Sequence, residues 1–499
     1  MSRRVRMSSN AADTEVFVYT GPGGDDVPQD VARFRVDPSV TSIPDNTFRE
    51  RTKLTEVELC EGIVEIGAES FWCCGITKII IPTTLRRINH WAFYKSLRCP
   101  IHLHDGIESI GDGAFAYCIF ANFRVPPLIT VIPNGLLYCC LSTFSVEMPL
   151  NVTEIGNHAF SNSHCLRNVA FPPNADISDD ILNRATDLLL LFGSVADMIR
   201  NLKHRFDGLP IHCSVYFQSY HQGALQRLIT TGNELDPRGN QQDCLGMTPL
   251  HIVACSSLHN LEVYRLIIEK YPANLITVDA WGAVPLLYAF WGAAPVEIIE
   301  FLLESYRSLY PGHVFNWTMM VETMGRRDTP IERERIKNLL HVKQTLFPEQ
   351  PLNWDYLLNK FAEPSNCTLS GGLFQERMRF LFTCGMSLRV EALPFEAWRD
   401  HTMNVIQTAE FKLRENNSHV LLRIQATIAH FEDELPKLKE ITTILELVLW
   451  KLSMNENNSQ KEAAQSSIRR QCRTTCGIDA VICHVLPYLI AVASDESAS

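Results

Sequence analysis

The chain has 499 residues, 46% of them hydrophobic and 20% charged, with a formal net charge of −11 at pH 7. That length admits several domains or one elongated array, and the apolar fraction suffices to bury a core. The negative balance argues against sequence-independent binding of nucleic acid through a basic face, and Arg3, Arg4 and Arg6 in a polar leader do not reverse it.

Residues 1–13 read as a disordered leader, small, polar and basic. No apolar segment follows the start, so no signal peptide or transmembrane helix is expected, and the location expected is intracellular, cytoplasmic or nuclear. The 16 cysteines then read as reduced thiols. Short strands at Val16–Tyr19 and Phe34–Val36 read as an N-terminal cap over 14–39, because a terminal repeat must shield its core edge from water.

From 40 to 173 one phrase of 22 or 23 residues is written six times. Ile43, Ile66, Ile88, Ile110, Ile132 and Ile155 mark it, and five residues after each stands Phe48, Phe71, Phe93, Phe115, Leu137 or Phe160. Such a period is the signature of a solenoid whose units bury one another's apolar edges. Each unit also carries an alternating strand pattern: Leu54-x-x-Val57-x-Leu59, Ile79-x-Ile81, Ile101-x-Leu103, Phe123-x-Val125, Val146-x-Met148 and Val169-x-Phe171. Three residues after the Phe/Leu position comes Cys74, Ser96, Cys118, Cys140 or Ser163, with Arg51 in the first copy. Serine in that register argues for a compact packing residue and against thiolate chemistry at Cys73-Cys74 and Cys139-Cys140. Gly67, Gly111 and Gly156 suit a backbone bend, and Pro82, Pro126, Pro149 and Pro172 close strands.

The phrase apolar-x-x-Ile-Gly-x-x-Ala-Phe-x-x-Cys, best written at 111–118, resembles the BspA-like class of leucine-rich repeats. The fifth copy departs from it at Pro133-Asn-Gly-Leu-Leu137. The resemblance implies a parallel-strand solenoid that binds other macromolecules. The strand side chains that alternate with the buried ones are then the expected partner-binding surface: Glu56, Glu58, Lys78, Ile80, His102, Asn122, Arg124, Glu147 and Asn168.

The period is lost from about Asn174, and Ile181–His204 reads as helix within a helical join over 174–207. Over 208–310, Thr248-Pro249-Leu250-His251 precedes an amphipathic helix, and Gly282, Pro285 and Leu286 repeat Gly246, Pro249 and Leu250 after 36 residues. A weaker copy starts at Leu209-Pro210-Ile211-His212. These resemble ankyrin repeats. Thr248 caps its helix, Pro249 sits where no donor is missed, and His251 and His212 read as structural histidines bonded to backbone.

Residues 311–499 read as an all-α region, with helices expected at Ile331–Thr345, Leu352–Phe361, Gly372–Cys384, Phe395–Arg414, Ser418–Met454 and Ser467–Ala493. Cys472, Cys476 and Cys483 lie along one helical face beside His484, too extended for a metal site. The fold class expected is therefore multidomain α+β: a leucine-rich-repeat solenoid, ankyrin-like repeats, and a helical C-terminal region. That order of blocks, with Asp243–Tyr306 and Gln471–Leu489, looks like leucine-rich-repeat proteins of diatoms. No activity comes with the likeness.

The function expected is a non-catalytic protein-binding adaptor with no cofactor, metal or nucleic-acid ligand. The alternatives are an exported adhesion protein, as the BspA-like resemblance allows, and an enzyme using Cys384, His401 or His313 in the helical block.

Overall fold

The computed structural model describes residues 16–21, 27–217, 237–325, 330–353 and 356–357. It divides into two units, Met1–His313 and Val314–Ser499.

The first unit begins with two parallel ladders on the two sides of a solenoid. One ladder joins β1 (Val16–Tyr19), β2 (Arg33–Val36), β4 (Glu56–Glu58) and β6 (Lys78–Ile80). The other joins β3 (Ser42–Ile43), β5 (Glu65–Ile66), β7 (Arg87–Ile88) and β8 (Ser109–Ile110). Further along, β9 (Asn122–Arg124) pairs with β11 (Ser145–Glu147), and β10 (Val131–Ile132) pairs with β12 (Glu154–Ile155), which pairs with β13 (Asp176–Ile177).

Each ladder is cut where a proline removes an amide donor. Lys78, Ser145 and Asn168 donate their N–H to the preceding coil at 3.1, 3.3 and 2.8 Å. Pro100 holds the same place in the fourth coil, and the strand expected at Ile101–Leu103 is not formed. On the other side Gly67, Gly111 and Gly156 each donate 2.8 Å bonds to the preceding coil's isoleucine carbonyl, whereas Pro133 has no N–H to give Ile110. The gap beside Pro133 is a cleft of about 310 Å³ lined by Glu108, Asp112, Val131 and Glu154.

Between the ladders, alternate amides bond upward to the next coil: Phe71 N–H to Ala92 O at 2.9 Å, Cys73 N–H to Tyr94 O at 2.8 Å. This spiral places two residues per coil at positive φ, such as Glu69 at 52° and Cys73 at 53°. Each costs on the order of 1–2 kcal/mol, offset by the bonds it directs. The phenylalanines stack inside, Phe48 on Phe71 at 5.2 Å, Phe71 on Phe93 at 5.2 Å, and Phe93 on Phe115 at 5.6 Å, all fully buried. At four of its five occurrences the Cys/Ser position has a second task besides small size; Ser96 is the exception. Cys74, Cys118 and Cys140 each donate an S–H to the phenylalanine carbonyl one coil back at 3.1 Å, and Ser163 Oγ does the same to Leu137 at 3.3 Å. Arg51, which has no such coil before it, reaches the Val27 carbonyl at 3.0 Å. Gly67 and Gly111 are needed for close approach and not for a bend. A Cβ there would stand 2.6 Å from Asp45 N and 2.3 Å from His90 N.

Helix over Ile181–His204 is only partly formed. Residues 178–185 are instead a seventh coil, in which Ile181 and Asn183 accept the amides of Phe160 and Asn162 at 3.1 and 2.7 Å. Helices follow: α1 (Thr186–Phe192), α2 (Val195–Lys203), α3 (Pro210–Tyr216), α4 (Pro249–Ala254), α5 (Leu261–Lys270), α6 (Pro285–Trp291) and α7 (Val296–Leu309). In the second unit, α8 (Trp317–Met324) and α9 (Pro330–Leu346) pack around Phe315, Trp317 and Phe347, and Trp317 Nε1 donates to Gln350 Oε1 at 2.7 Å. The helix expected at Ile331–Thr345 is α9. Leu352–Phe361 lies almost wholly, and the later helices with Cys472, Cys476, Cys483 and His484 wholly, outside the described residues.

Burial pushes the Cys74 and Cys118 thiols up to about 12. In the native protein at pH 8 a thiol reagent should therefore label the half-buried Cys60, Cys73 and Cys139 well before Cys74, Cys118 or Cys140. Cys118→Ser should keep most of the stability and Cys118→Ala should lose about 1–2 kcal/mol, read by denaturant unfolding. An alanine variant as stable as the serine variant would mean that the coil-to-coil bond contributes nothing.

Candidate functional site

Alternation along the strands of the first ladder points one set of side chains inward and the other out. Strand register arranges the outward set in two lateral rows. Arg33, Glu56 and Lys78 form the first; Arg35, Glu58 and Ile80 form the second, which His102 extends. Arg33 pairs with Glu56 at 2.9 Å and Arg35 with Glu58 at 2.8 Å, with all four side chains a third or more exposed. Ion pairs this wet contribute about 0–1 kcal/mol each and exchange readily. Ile80 is 70% exposed among them.

Past Pro100 the same face is covered by the chain's own helices. This corrects the expectation that all nine strand residues face solvent. Glu56, Glu58, Lys78, Ile80 and His102 are exposed or half-buried, whereas Asn122, Arg124, Glu147 and Asn168 are buried. Asn122 Nδ2 donates to Ser256 O at 3.2 Å, and Glu147 Oε1 accepts the Ser257 N–H at 2.7 Å, both in the turn between α4 and α5. Asn168 Oδ1 accepts from Arg205 Nη1 at 2.8 Å, while Arg205 Nε donates to Asp243 at 2.7 Å with both side chains wholly buried. Tyr216, at the end of α3, donates to Val146 O at 2.6 Å and accepts the Ala170 N–H at 3.1 Å. Trp291, at the end of α6, packs on Phe144 at 4.6 Å. Arg124 instead reaches Asp105 at 2.7 Å.

Burial raises the Glu147 carboxyl to about 7 despite the Ser257 amide that favours its ionised form. Burial, and after it the charge of His102, lowers His259 to about 4.

The structural histidines behave as their residue context requires. His251 Nε2 donates to Ala283 O at 3.0 Å and its Nδ1 accepts the Thr248 N–H, while His212 Nε2 reaches Gln241 O at 3.0 Å. His313 stacks on Tyr306 at 5.6 Å, and burial lowers its pKa. Cys384 and His401 lie outside the described residues. Among the described residues no group of His, Cys, Asp and Glu is placed to hold a metal, and no helix is long and apolar enough to cross a membrane. Sequence reasoning missed Arg33 and Arg35, which stand 23 residues before Glu56 and Glu58 and continue their rows.

Residues 30–134 and 99–188 match the family described as BspA type leucine rich repeat region, in six copies. The N-terminal solenoid is a BspA-type leucine-rich repeat region. A leucine-rich repeat protein from Bacteroides ovatus ATCC 8483 of known structure is 28% identical over 29% of this chain and 38% of its own, with a TM-score of 0.27. The T. pallidum leucine rich repeat protein is 19% identical over 31% of this chain and 72% of its own, TM-score 0.26. A leucine rich cell surface protein from Faecalibacterium prausnitzii A2-165 is 19% identical over 31% and 58%, TM-score 0.22. The chain thus spans well under two thirds of the first of these. No curated protein matches it.

Two changes probe the covered part of the BspA-type face. Arg205→Ala strands Asp243 without its buried partner and should cost about 3–5 kcal/mol in denaturant unfolding. For Glu147, the unfolded chain releases its proton near 4.5 and the folded chain near 7. Between those values the folded state holds a proton that the unfolded state has lost, so this group's contribution falls as pH rises through that window and stays low above it. Glu147→Gln should accordingly gain on the order of 2 kcal/mol at pH 8 and nothing at pH 4. An equal effect at both pH values would contradict the buried-carboxyl assignment.

Proposed function

We propose that the protein is a non-catalytic interaction scaffold that binds a protein partner on the open part of its BspA-type sheet. The observation that carries this reading is that the same face is occupied from Asn122 onward by the chain's own helices, while from Arg33 to His102 its outward side chains are exposed or half-buried and no described residue outside the solenoid is seen bonded to them. The partner-binding residues are Glu56, Glu58, Lys78, Ile80 and His102, joined by Arg33 and Arg35. Asn122, Arg124, Glu147 and Asn168 belong to the internal interface. Mixed charge around an exposed aliphatic side chain suits a specific protein surface and offers little to a polyanion. An intracellular adaptor role is part of the same reading.

The helical block belongs to this reading as an ankyrin-like element. Asp243 Oδ1 accepts the amides of Leu245 and Met247 at 2.8 and 2.9 Å, and Asp279 Oδ1 accepts those of Trp281 and Ala283 at 2.9 Å, 36 residues on. Gly246 and Gly282 follow at φ of 71° and 76° in the two turns. A turn repeated atom for atom at that period supports stacked helical pairs of one design.

The test is a triple variant, Glu58→Ala, Ile80→Ala and His102→Ala, in the full chain. These exposed positions should leave the melting temperature nearly unchanged while co-purification of the partner drops at least tenfold, measured by quantitative mass spectrometry on affinity-purified protein. An unchanged set of partners at unchanged stability would remove the open face as the recognition surface.

A further inference from the structure

The covered part of the face shows how this sheet holds a ligand, and, granted the reading above, it identifies the ligand of the open part. The second lateral row runs Arg35, Glu58, Ile80, then His102, then Arg124, Glu147, Ala170. An arginine, a glutamate and an aliphatic residue on successive strands thus occur twice, once exposed and once covered. In the covered copy the row works together with the first one. Asn122 donates to the Ser256 carbonyl, two residues past the end of α4, and Glu147 accepts the next amide of the same turn, from Ser257. The Ala170 N–H, on the next strand, donates to the hydroxyl of Tyr216 at the end of another helix.

The donor and the acceptor stand in a fixed relation: the first residue of one strand and the last residue of the next, 25 positions later. Arg33 in β2 and Glu58 in β4 stand in that relation on the open part. Arginine is the better donor for this task, because it offers several N–H groups and a positive charge to the negative end of a helix. Ile80, 70% exposed, takes the place of Ala170. The half-exposed pairs Arg33–Glu56 and Arg35–Glu58 are weak enough to yield to a ligand.

We propose that the open face binds the C-terminal end of a helix and the turn after it in a partner built of paired helices, in the pose that α4 and its turn adopt on Asn122 and Glu147. A second copy of this chain does not present that turn, since its own Ser256 and Ser257 are already held by its own sheet.

The experiment places a photoreactive side chain at the centre of the open face, Ile80→p-benzoylphenylalanine, in the full chain, with Leu190→p-benzoylphenylalanine as the off-face control, Leu190 being 80% exposed. After irradiation in extract of the native cells, cross-linked peptides are sequenced. The expected result is a cross-link specific to position 80, falling within one turn of a helix C-terminus in the partner, with yield cut about tenfold by Glu58→Ala. Cross-links specific to position 80 that fall in a strand or an extended segment would overturn this inference and leave the scaffold reading standing. A helix-end cross-link indifferent to Glu58→Ala would overturn the pose. No cross-link above the Leu190 control would overturn both.

Discussion

The solenoid depends on backbone amides that bond from one coil to the next. Each coil is too short to satisfy its own polar groups, so every second amide of the turn and both strand positions must find a carbonyl one coil away. The other regularities follow from that demand. Alternate amides can point along the axis only if two residues per coil take positive φ, which is why Glu69, Cys73, Trp91 and Lys95 accept a conformation that L-residues avoid. Coils locked at this spacing bring the phenylalanines to stacking distance. They also bring one backbone so near the next that Gly67 and Gly111 have no room for a Cβ. The thiols of Cys74, Cys118 and Cys140 cover carbonyls that the amides leave over.

Proline is therefore the one residue that this architecture registers wherever it takes a bonding position. Pro100 ends one ladder after β6, and Pro133 ends the other after β8. The first break separates the open strands from the covered ones. On the covered side the chain has committed costly groups: a carboxyl raised to about 7 and an Arg205–Asp243 pair without solvent. Such groups are poor sources of net stability, because desolvation consumes most of the Coulombic gain. Their value is positional, since sliding the helices by one strand would leave a buried charge unpaired.

Much of this was legible in the residues. The 22- and 23-residue spacing led to parallel coils, and the register of serine with cysteine pointed to a packing role for Cys74, Cys118 and Cys140. The seventh coil was also written there: Ile177 follows Ile155 by 22 residues, and Leu182 follows Ile177 by five. It was hidden by the apolar run after Leu188, whose helical pattern invites an assignment that starts too early. Arg33 and Arg35 were hidden in the same way, because strands ahead of the first marker isoleucine read as a cap. What no pattern announces is that Asn122, Glu147 and Asn168 lie under helices more than a hundred positions away in two of the three cases. Alternation says that a side chain points outward. It does not say what stands outside.

The sizes of the two partners in that internal interface account for where it stops. Helices pack about 8–10 Å apart, roughly twice the 4.7–4.9 Å between neighbouring strands. A helix end laid on this sheet therefore spans two coils, which is the span from Asn122 to Glu147 and again from Arg33 to Glu58. The helical block must begin at the last coil, because that coil has no neighbour to accept its edge. There Phe171 N–H bonds to Leu202 O at 3.1 Å, Asp187 N–H to His164 O at 3.1 Å, and Arg167 pairs with Asp187 at 2.7 Å. Counting back from that edge, the covering ends near the coil of Pro100, where the sheet is already broken and offers no ladder to support another helix end. The four strands before it form an unbroken sheet.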